Sequence, residues 1–540
     1  MVAFDVLIMG AGMAGACLAR QLRLQYPELS IGIVEKKTEF DYWVGESTVE
    51  YWDAYACNEL KLGPYLEKNH LVKHGLRYFF DSLEKNLPVD EMSEVGRSVF
   101  CGVPARQVDR STFDRDLCAI NRAAGVDVRL GVSVQSIAFD GVHGHQVETS
   151  EGPIKCRWLV DAAGRASPID KMLKHVRIDD PRHPVASFWA RVEGAKTIDE
   201  LGSDQWRRRV HYTPRFLSTN HFMYRGYWLW LIAVTDSIVS VGVVFNRELA
   251  PLKIKTADDL LTFLRTHRSM RQVLVDDSRV VDFSGVKYST RTAAQHFSTD
   301  RWFLTGMSGT FVDALGSGGC ITLALANRLI AKLIEADIAG DERTFRNRLL
   351  HYNLVMKLAY EGNIRGQDGH RNLGSFDVFH GDFVAGNGEY WNTLVPASYA
   401  REKWLLDLVD AHDEGCGCTF ENLARLFLSG GDERLRIVRE FASYLDERGA
   451  YYANNRGLFV STDIPDYLFG KILCSTPELE AQASARNRSY IYRTYLERMA
   501  EIEGVSCPAN SLERLLAKGN TGTLRAILGT SESATAPELL

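Results

Sequence analysis

The sequence predicts an α/β protein, with a parallel βαβ unit at the N-terminus, an antiparallel sheet through the middle and helices toward the C-terminus. Three observations carry this reading. Residues 4–8 form a short apolar run cut off by glycine, residues 16–24 continue with a helical pattern, and a second apolar run at 31–34 ends in Glu35. Within 180–290, runs such as 185–192 and 238–245 alternate apolar and polar, the period of strands with one covered face. From about 345 the period becomes helical, over 345–358, 404–411, 420–428 and 435–445, with Leu423/Phe427 and Ile437/Phe441 at i, i+4.

The 540 residues suffice for about three domains at ~100–200 residues each. The expected division is a core over 1–345, with sheet segments interleaved at about 60–100 and 180–290, and a helical lobe over 346–528. The tail 529–540, rich in Ser, Thr, Ala and Pro, is expected to be poorly ordered. A composition 45% apolar and 24% charged excludes a disordered or coiled-coil chain. The net charge of −6 gives no general pull on nucleic acid or anionic lipid. No run reaches the ~18 uncharged apolar residues of a membrane span, and the apolar start at 6–9 has no basic segment before it. Ten cysteines without a CxxC pair suit a reducing compartment, so a cytoplasmic protein is expected. No metal is expected either: His70 and His74 lack a cysteine pair at ligand distance, and Cys416-Gly-Cys418 supplies only two ligands.

The first turn has the spacing of a dinucleotide site. In Gly10-Ala-Gly12-Met13-Ala14-Gly15, the first glycine permits a tight turn, the second a close backbone approach to a pyrophosphate, and the third close packing of helix on strand. The helix N-terminus adds free N–H groups and a partial positive charge. Glu35 lies twenty residues after Gly15, where a carboxylate accepts hydrogen bonds from ribose hydroxyls. A free ribose hydroxyl means FAD or NAD over NADP, in a Rossmann-like domain.

Several later segments, in the same order over roughly 330 residues, resemble the FAD-dependent aromatic hydroxylase fold and, within it, the flavin-dependent halogenases. The stretch Pro104-Ala-Arg106-Gln-Val-Asp109-Arg110 is similar to the segment whose arginine reaches the flavin phosphates, and Trp158-Leu-Val-Asp161-Ala-Ala-Gly164 to the turn that closes the nucleotide site. Trp302-Phe-Leu-Thr-Gly306 resembles the strand under the ribityl chain, and Gly316-Ser317-Gly318-Gly319 opens an apolar helix. Three features are halogenase-like: Val44-Gly45-Glu46-Ser47-Thr48, Leu71-Val-Lys73-His-Gly75, and Tyr227-Trp228-Leu-Trp230-Leu-Ile232. The resemblance implies FAD against Gly10, Gly12, Met13, Ala14 and Gly15, with Glu35, Lys36, Gly45, Ser47, Arg106, Asp161, Gly306 and Gly319 completing its site. Chloride or bromide would sit against Gly318 and Gly319, whose backbone N–H groups face an anion. Glu46, Trp228, Trp230 and Ser317 would line the substrate pocket or the tunnel to it.

In such an enzyme reduced FAD, delivered by a separate reductase, turns halide into hypohalous acid, which travels to Lys73. That lysine, its pKa depressed by burial, holds an electrophilic halogen against an electron-rich carbon. Four positions depart from the family pattern. Ala233 and Ala314 replace prolines, Met307 replaces an aspartate that holds the ribityl chain, and Gly316 stands where tryptophan halogenases carry a glutamate. Gly316 argues for a phenol- or pyrrole-type substrate, free or tethered to a carrier protein, over free tryptophan. A monooxygenase or oxidase on the same scaffold is the alternative reading, and a non-catalytic flavin binder the third. A homodimer is the base-rate expectation.

Overall fold

The computed structural model describes residues 2–100, 103–211, 214–383, 431–463, 477–507 and 524–528. The expected helices at 404–411 and 420–428 and the expected tail at 529–540 lie outside the described residues.

β1 (Val2–Met9) pairs in parallel with β2 (Ile31–Glu35) on one side and β8 (Gly152–Asp161) on the other. Val6, Leu7 and Ile8 are wholly buried between the two faces, which is why this run is continuously apolar. The seven-stranded sheet runs β5 (Asp127–Leu130), β2, β1, β8, β7 (His145–Thr149), β6 (Val134–Ala138), with β14 (Trp302–Leu304) parallel on β8. α1 (Met13–Gln25), α3 (Arg110–Ala123) and α4 (Gly318–Ile338) pack their apolar faces into one core against it. α4 is long and apolar enough to cross a membrane, but 72% of its apolar window is buried inside the protein. It is a core helix.

The second sheet has eight strands in the order β13 (Arg279–Val286), β9 (Val185–Glu193), β12 (Ile238–Asn246), β11 (Tyr227–Ala233), β10 (Thr219–Tyr224), β3 (Leu76–Phe80), β4 (Ser93–Gly96), β15 (Phe459–Ser461). It is antiparallel except where β10 meets β3 and β4 meets β15. The sequence pattern suggested strands with one covered face, yet all seven residues of β11 are buried. Leu229 and Leu231 join one core, while Trp228, Trp230 and Ile232 join another on the opposite face. The alternation here separates two apolar surroundings instead of core from water.

Beyond α5 (Glu342–Gln367), helices α6 (Gly431–Glu447) and α7 (Pro477–Glu503) share a small core that includes Tyr444 and Tyr451. This lobe was expected to be wholly helical, but it returns one strand, β15, to the edge of the second sheet. Beneath that edge lies a buried ionic cluster. Glu94 of β4 receives Arg77 of β3 and Arg215, the latter at 2.9 and 3.0 Å, with all three side chains inaccessible to water. Glu94→Ala strands two buried guanidiniums, so chemical denaturation should show a loss of about 3–5 kcal/mol.

Candidate functional site

Gly10 turns with φ +107°, and a Cβ there would fall 2.5 Å from Ala162 O. Gly15 is tighter still: a Cβ would lie 2.1 Å from Gly10 O. Gly12 differs, because the nearest atoms to its Cβ position are the Arg110 guanidinium and the Asp114 carboxylate, both at 3.9 Å. Its open side therefore faces the Arg110–Asp114 ion pair, of which the guanidinium is the group that suits a pyrophosphate path. Glu35 Oε2 accepts the Ala11 N–H at 3.0 Å, which fixes the carboxylate at the end of β2 with lone pairs to spare. Met13 is buried and Ala14 half-buried, so both serve the turn through their backbone; Lys36 is exposed beside it. These residues fit an adenine dinucleotide.

The arginine assignment requires a correction. Arg106 turns its guanidinium to Asp53, with Nε 3.3 Å from Oδ1, and burial raises the Asp53 pKa to about 6 despite that partner. Arg110, the first residue of α3, is the one between the glycine turn and the strap at Gly45. It donates to Val44 O at 3.0 Å and pairs with Asp114 at 2.7 Å. Asp161 also has a different job from the one expected. Its carboxylate accepts from Ala163 N, Ser167 Oγ, Ile169 N and Ser308 Oγ, so it ties the turn after β8 to the turn after β14. In that second turn Gly306 has φ +57°, and a Cβ would meet Ala14 Cβ at 2.9 Å. Met307, the next residue in that turn, is half-buried.

Lys73 is placed by two layers of backbone pairing. Residues Leu71–Val72 pair with Arg106–Gln107, Lys73 N–H donates to Ala105 O at 2.8 Å, and the strap at Glu46 and Thr48 bonds to Val108 and Arg106. The side chain is only 4% exposed. Its Nζ donates to Ser47 Oγ at 2.9 Å and to Thr48 O at 2.6 Å. Burial lowers its pKa to about 8, opposed by the negative charge of nearby Glu50. Ser47 Oγ also receives Ser317 Oγ at 2.9 Å and lies 2.7 Å from Thr219 Oγ1. Ser47, expected at the cofactor, thus links Lys73 to the loop before α4. In that loop Gly316 (φ 73°) and Ser317 (φ 58°) are both left-handed, and Gly318 and Gly319 open the helix, where backbone N–H groups have no intrahelical acceptor.

Lys73 reaches a cavity of ≈ 280 Å³. Tyr78, Leu76, Leu373, Phe379 and Phe383 form apolar wall; Glu50, Asp368, Asp382, Arg97 and Arg434 add charge; Leu315 and Gly316 bring the glycine loop to it. Among the described residues, neither Trp228, Trp230, Ser317 nor Glu46 lines this cavity. The two tryptophans stand behind it: their ring centroids are 5.7 Å apart, and Trp228 touches His221, which stacks on Tyr78 at 4.6 Å. Glu46 is taken by Arg191 and by its neighbour Gly45 N–H, so its carboxylate is structural. Glu50, four residues on and at the start of α2 (Glu50–Ala54), is the strap-end carboxylate that faces the cavity. Cys320, whose Sγ lies 3.7 Å from Ser47 O, is buried, and burial holds its thiol protonated with a pKa of about 11.

Sequence reasoning missed Arg110 as the cation at the turn, and the whole apolar wall from 373 to 383. The double tryptophan signalled a barrier near the site, but not its distance from the cavity.

Comparison with known proteins points one way. Flavin-dependent halogenase chlA of Dictyostelium discoideum is 25% identical over 430 residues, covering 73% of this chain and 70% of that protein. Tryptophan 2-halogenase of Chondromyces crocatus is 24% identical, covering 76% of this chain and 77% of that one. The crystal structure of halogenase PltM in complex with phloroglucinol and FAD has the same fold, with a TM-score of 0.67 at 18% identity, over 89% of this chain and 98% of that chain. No family model matches the chain.

Proposed function

Because the chain is a relative of the flavin-dependent halogenases and an FAD-dependent oxidoreductase, we propose that it halogenates an electron-rich aromatic substrate, a phenol, through Lys73. The observation that carries this reading is the continuous polar connection from the glycine loop to the cavity floor, Ser317 to Ser47 to Lys73. Chloride or bromide is the second substrate, and reduced FAD comes from a separate flavin reductase. When bound, reduced FAD with O2 supplies the oxidising equivalent that converts halide to hypohalous acid.

The residues of this chain do the rest. Gly12 admits the pyrophosphate beside Arg110 while Gly10 and Gly15 hold the tight turn against the strand, and the N–H groups of Gly318 and Gly319 face the halide. Trp228 and Trp230 stand behind the cavity wall, where they back Tyr78 through His221 and stiffen that side. Lys73 acts as the neutral amine. With two N–H groups donated to Ser47 and Thr48 O, the lone pair is left for the cavity. The amine takes the halogen from hypohalous acid: an N–X bond forms, the O–X bond breaks and hydroxide leaves. The ring carbon then takes the halogen from nitrogen, breaking the N–X bond, while Glu50 accepts the phenolic proton, which makes the ring a better nucleophile. The ring proton leaves to the released hydroxide as water, and Glu50 returns its proton to the phenolic oxygen. Gly316 leaves room at the position where a glutamate would otherwise stand; among the described residues, none beyond its chain neighbours lies within 4 Å of a Cβ built there. The buried, protonated Cys320 is a poor target for hypohalous acid, since the exposed thiolate is the form that reacts with an oxidant.

The test is product analysis by mass spectrometry, with a flavin reductase, FAD, bromide and a panel of phenols. A brominated phenol supports the reading; an ¹⁸O-labelled hydroxylated product from ¹⁸O₂, without bromination, replaces it with a monooxygenase. The pH dependence is a sharper check. Burial lowers the Lys73 pKa from 10.5 to about 8, so the amine fraction grows as pH rises through about 8. Single-turnover halogenation should therefore accelerate with a midpoint near that value, and a rate that falls over the same range would assign the ammonium instead.

A further inference from the structure

At the root of the glycine loop lies a buried cluster that the proposed chemistry does not use. Asp313 Oδ1 accepts the Leu315 N–H at 2.8 Å. Its Oδ2 receives two imidazoles, His183 Nε2 at 2.7 Å and His370 Nε2 at 2.8 Å. Both rings are inaccessible to water and meet edge to face, with centroids 4.6 Å apart. The three groups have the composition of a metal site, and their ligand atoms lie within 4.8 Å of one another.

Two features favour hydrogen bonds over a metal. Contacts of 2.7 and 2.8 Å to one oxygen are hydrogen-bond lengths, whereas ligands about 2.0 Å from a tetrahedral zinc stand about 3.3 Å apart. Among the described residues, Nδ1 of His183 and of His370 has no partner. A metal on Nε2 would force the proton onto Nδ1 and bury two orphaned donors, although ligating histidines almost always donate that proton. With Nε2–H donated to Asp313, only two acceptors stay unpaired, which costs less. Burial would raise the Asp313 pKa, but His370 and His183 outweigh it and keep the carboxylate ionised.

The cluster joins three segments. His183 precedes β9 of the second sheet, and His370 follows α5 in the stretch whose Asp368, Asn372 and Leu373 line the cavity. Asp313 leads into Leu315 and Gly316, which line it from the other side, and into Ser317, a non-glycine residue in the left-handed region that needs its surroundings to hold it. We infer that Asp313 is a positioning residue: clamped by His183 and His370, it sets the glycine loop 315–319 and the facing cavity wall as one unit. Its consequence for halide rests on the halogenase reading; the clamp itself does not.

The experiment compares FAD-loaded wild type with Asp313→Asn, His370→Phe and His370→Gln, the last keeping an N–H donor near the Nε2 position. Hydrogen exchange at 314–319 should speed up about tenfold or more in Asp313→Asn and His370→Phe, with amides of α1 and β11 unchanged. His370→Gln should stay within about threefold of wild type. Bromide, titrated against FAD fluorescence, should bind about tenfold more weakly to the first two variants, with FAD affinity within about threefold. Faster exchange throughout the chain would reduce the cluster to a stability element and overturn the inference, as would an unchanged loop. Stoichiometric zinc in the purified wild type, lost in Asp313→Asn, would overturn it in favour of a metal site. A wild type indifferent to bromide, with the exchange pattern as expected, upholds the clamp and removes the halogenase reading.

Discussion

Lys73→Met should lower aromatic halogenation by about 10³-fold or more, while reoxidation of bound reduced FAD stays within about twofold of wild type. Methionine fills similar volume, so the buried site at 4% exposure keeps its packing while losing the nitrogen. On the proposed mechanism, what disappears is the group that places the halogen at the cavity, and no other amine lines it among the described residues. The cofactor turn at Gly10–Gly15 is built by β1, α1 and Arg110, none of which depends on the Lys73 side chain. Lys73→Arg should fail as well, because a guanidinium does not give up its proton to expose a lone pair. The measurement is product mass spectrometry alongside absorbance of the flavin. Full halogenation in Lys73→Met would remove the lysine from the mechanism.

Glu50→Gln should cost about 10²-fold in kcat at neutral pH with little change in KM, the size expected for loss of a general base. Glutamine preserves the shape at the start of α2 but cannot accept the phenolic proton. The deficit should shrink as pH approaches the phenol's own pKa, since ionised substrate needs no base. A phenol carrying electron-withdrawing groups, ionised at neutral pH, should show almost no deficit. If such a substrate suffers as badly as an ordinary phenol, Glu50 positions the ring or supports Lys73 electrostatically, and its role as base is wrong.

The nucleotide turn was legible because its residues are consecutive and each glycine has a local reason: a positive φ at Gly10, an impossible contact at Gly15, an open face at Gly12. The burial of Lys73 at a cavity was legible only through its neighbours' resemblance to a family, for nothing in an isolated lysine signals burial. Arg106 and Arg110 were not separable in advance. Which of the two reaches the turn depends on Asp109, which caps α3 and sends Arg110 toward Gly45 while Arg106 stays on a short strand facing Asp53. Glu46 and Glu50 raised the same difficulty, since the chain changes from extended strap to helix between them. β15 is three residues long, too short to display any period. The Asp313 clamp is assembled from residues 130 and 57 positions apart, with no local pattern to announce it.

The most direct test of Lys73 as the halogen carrier omits the aromatic substrate. The protein, given reduced FAD, O2 and bromide, is freed of small molecules by gel filtration and then offered a phenol in the dark. About one equivalent of transferable bromine per chain is predicted for wild type, and none for Lys73→Met. Equal transfer from both proteins, or none from a wild type that brominates in the complete reaction, would contradict a halogen held on Lys73.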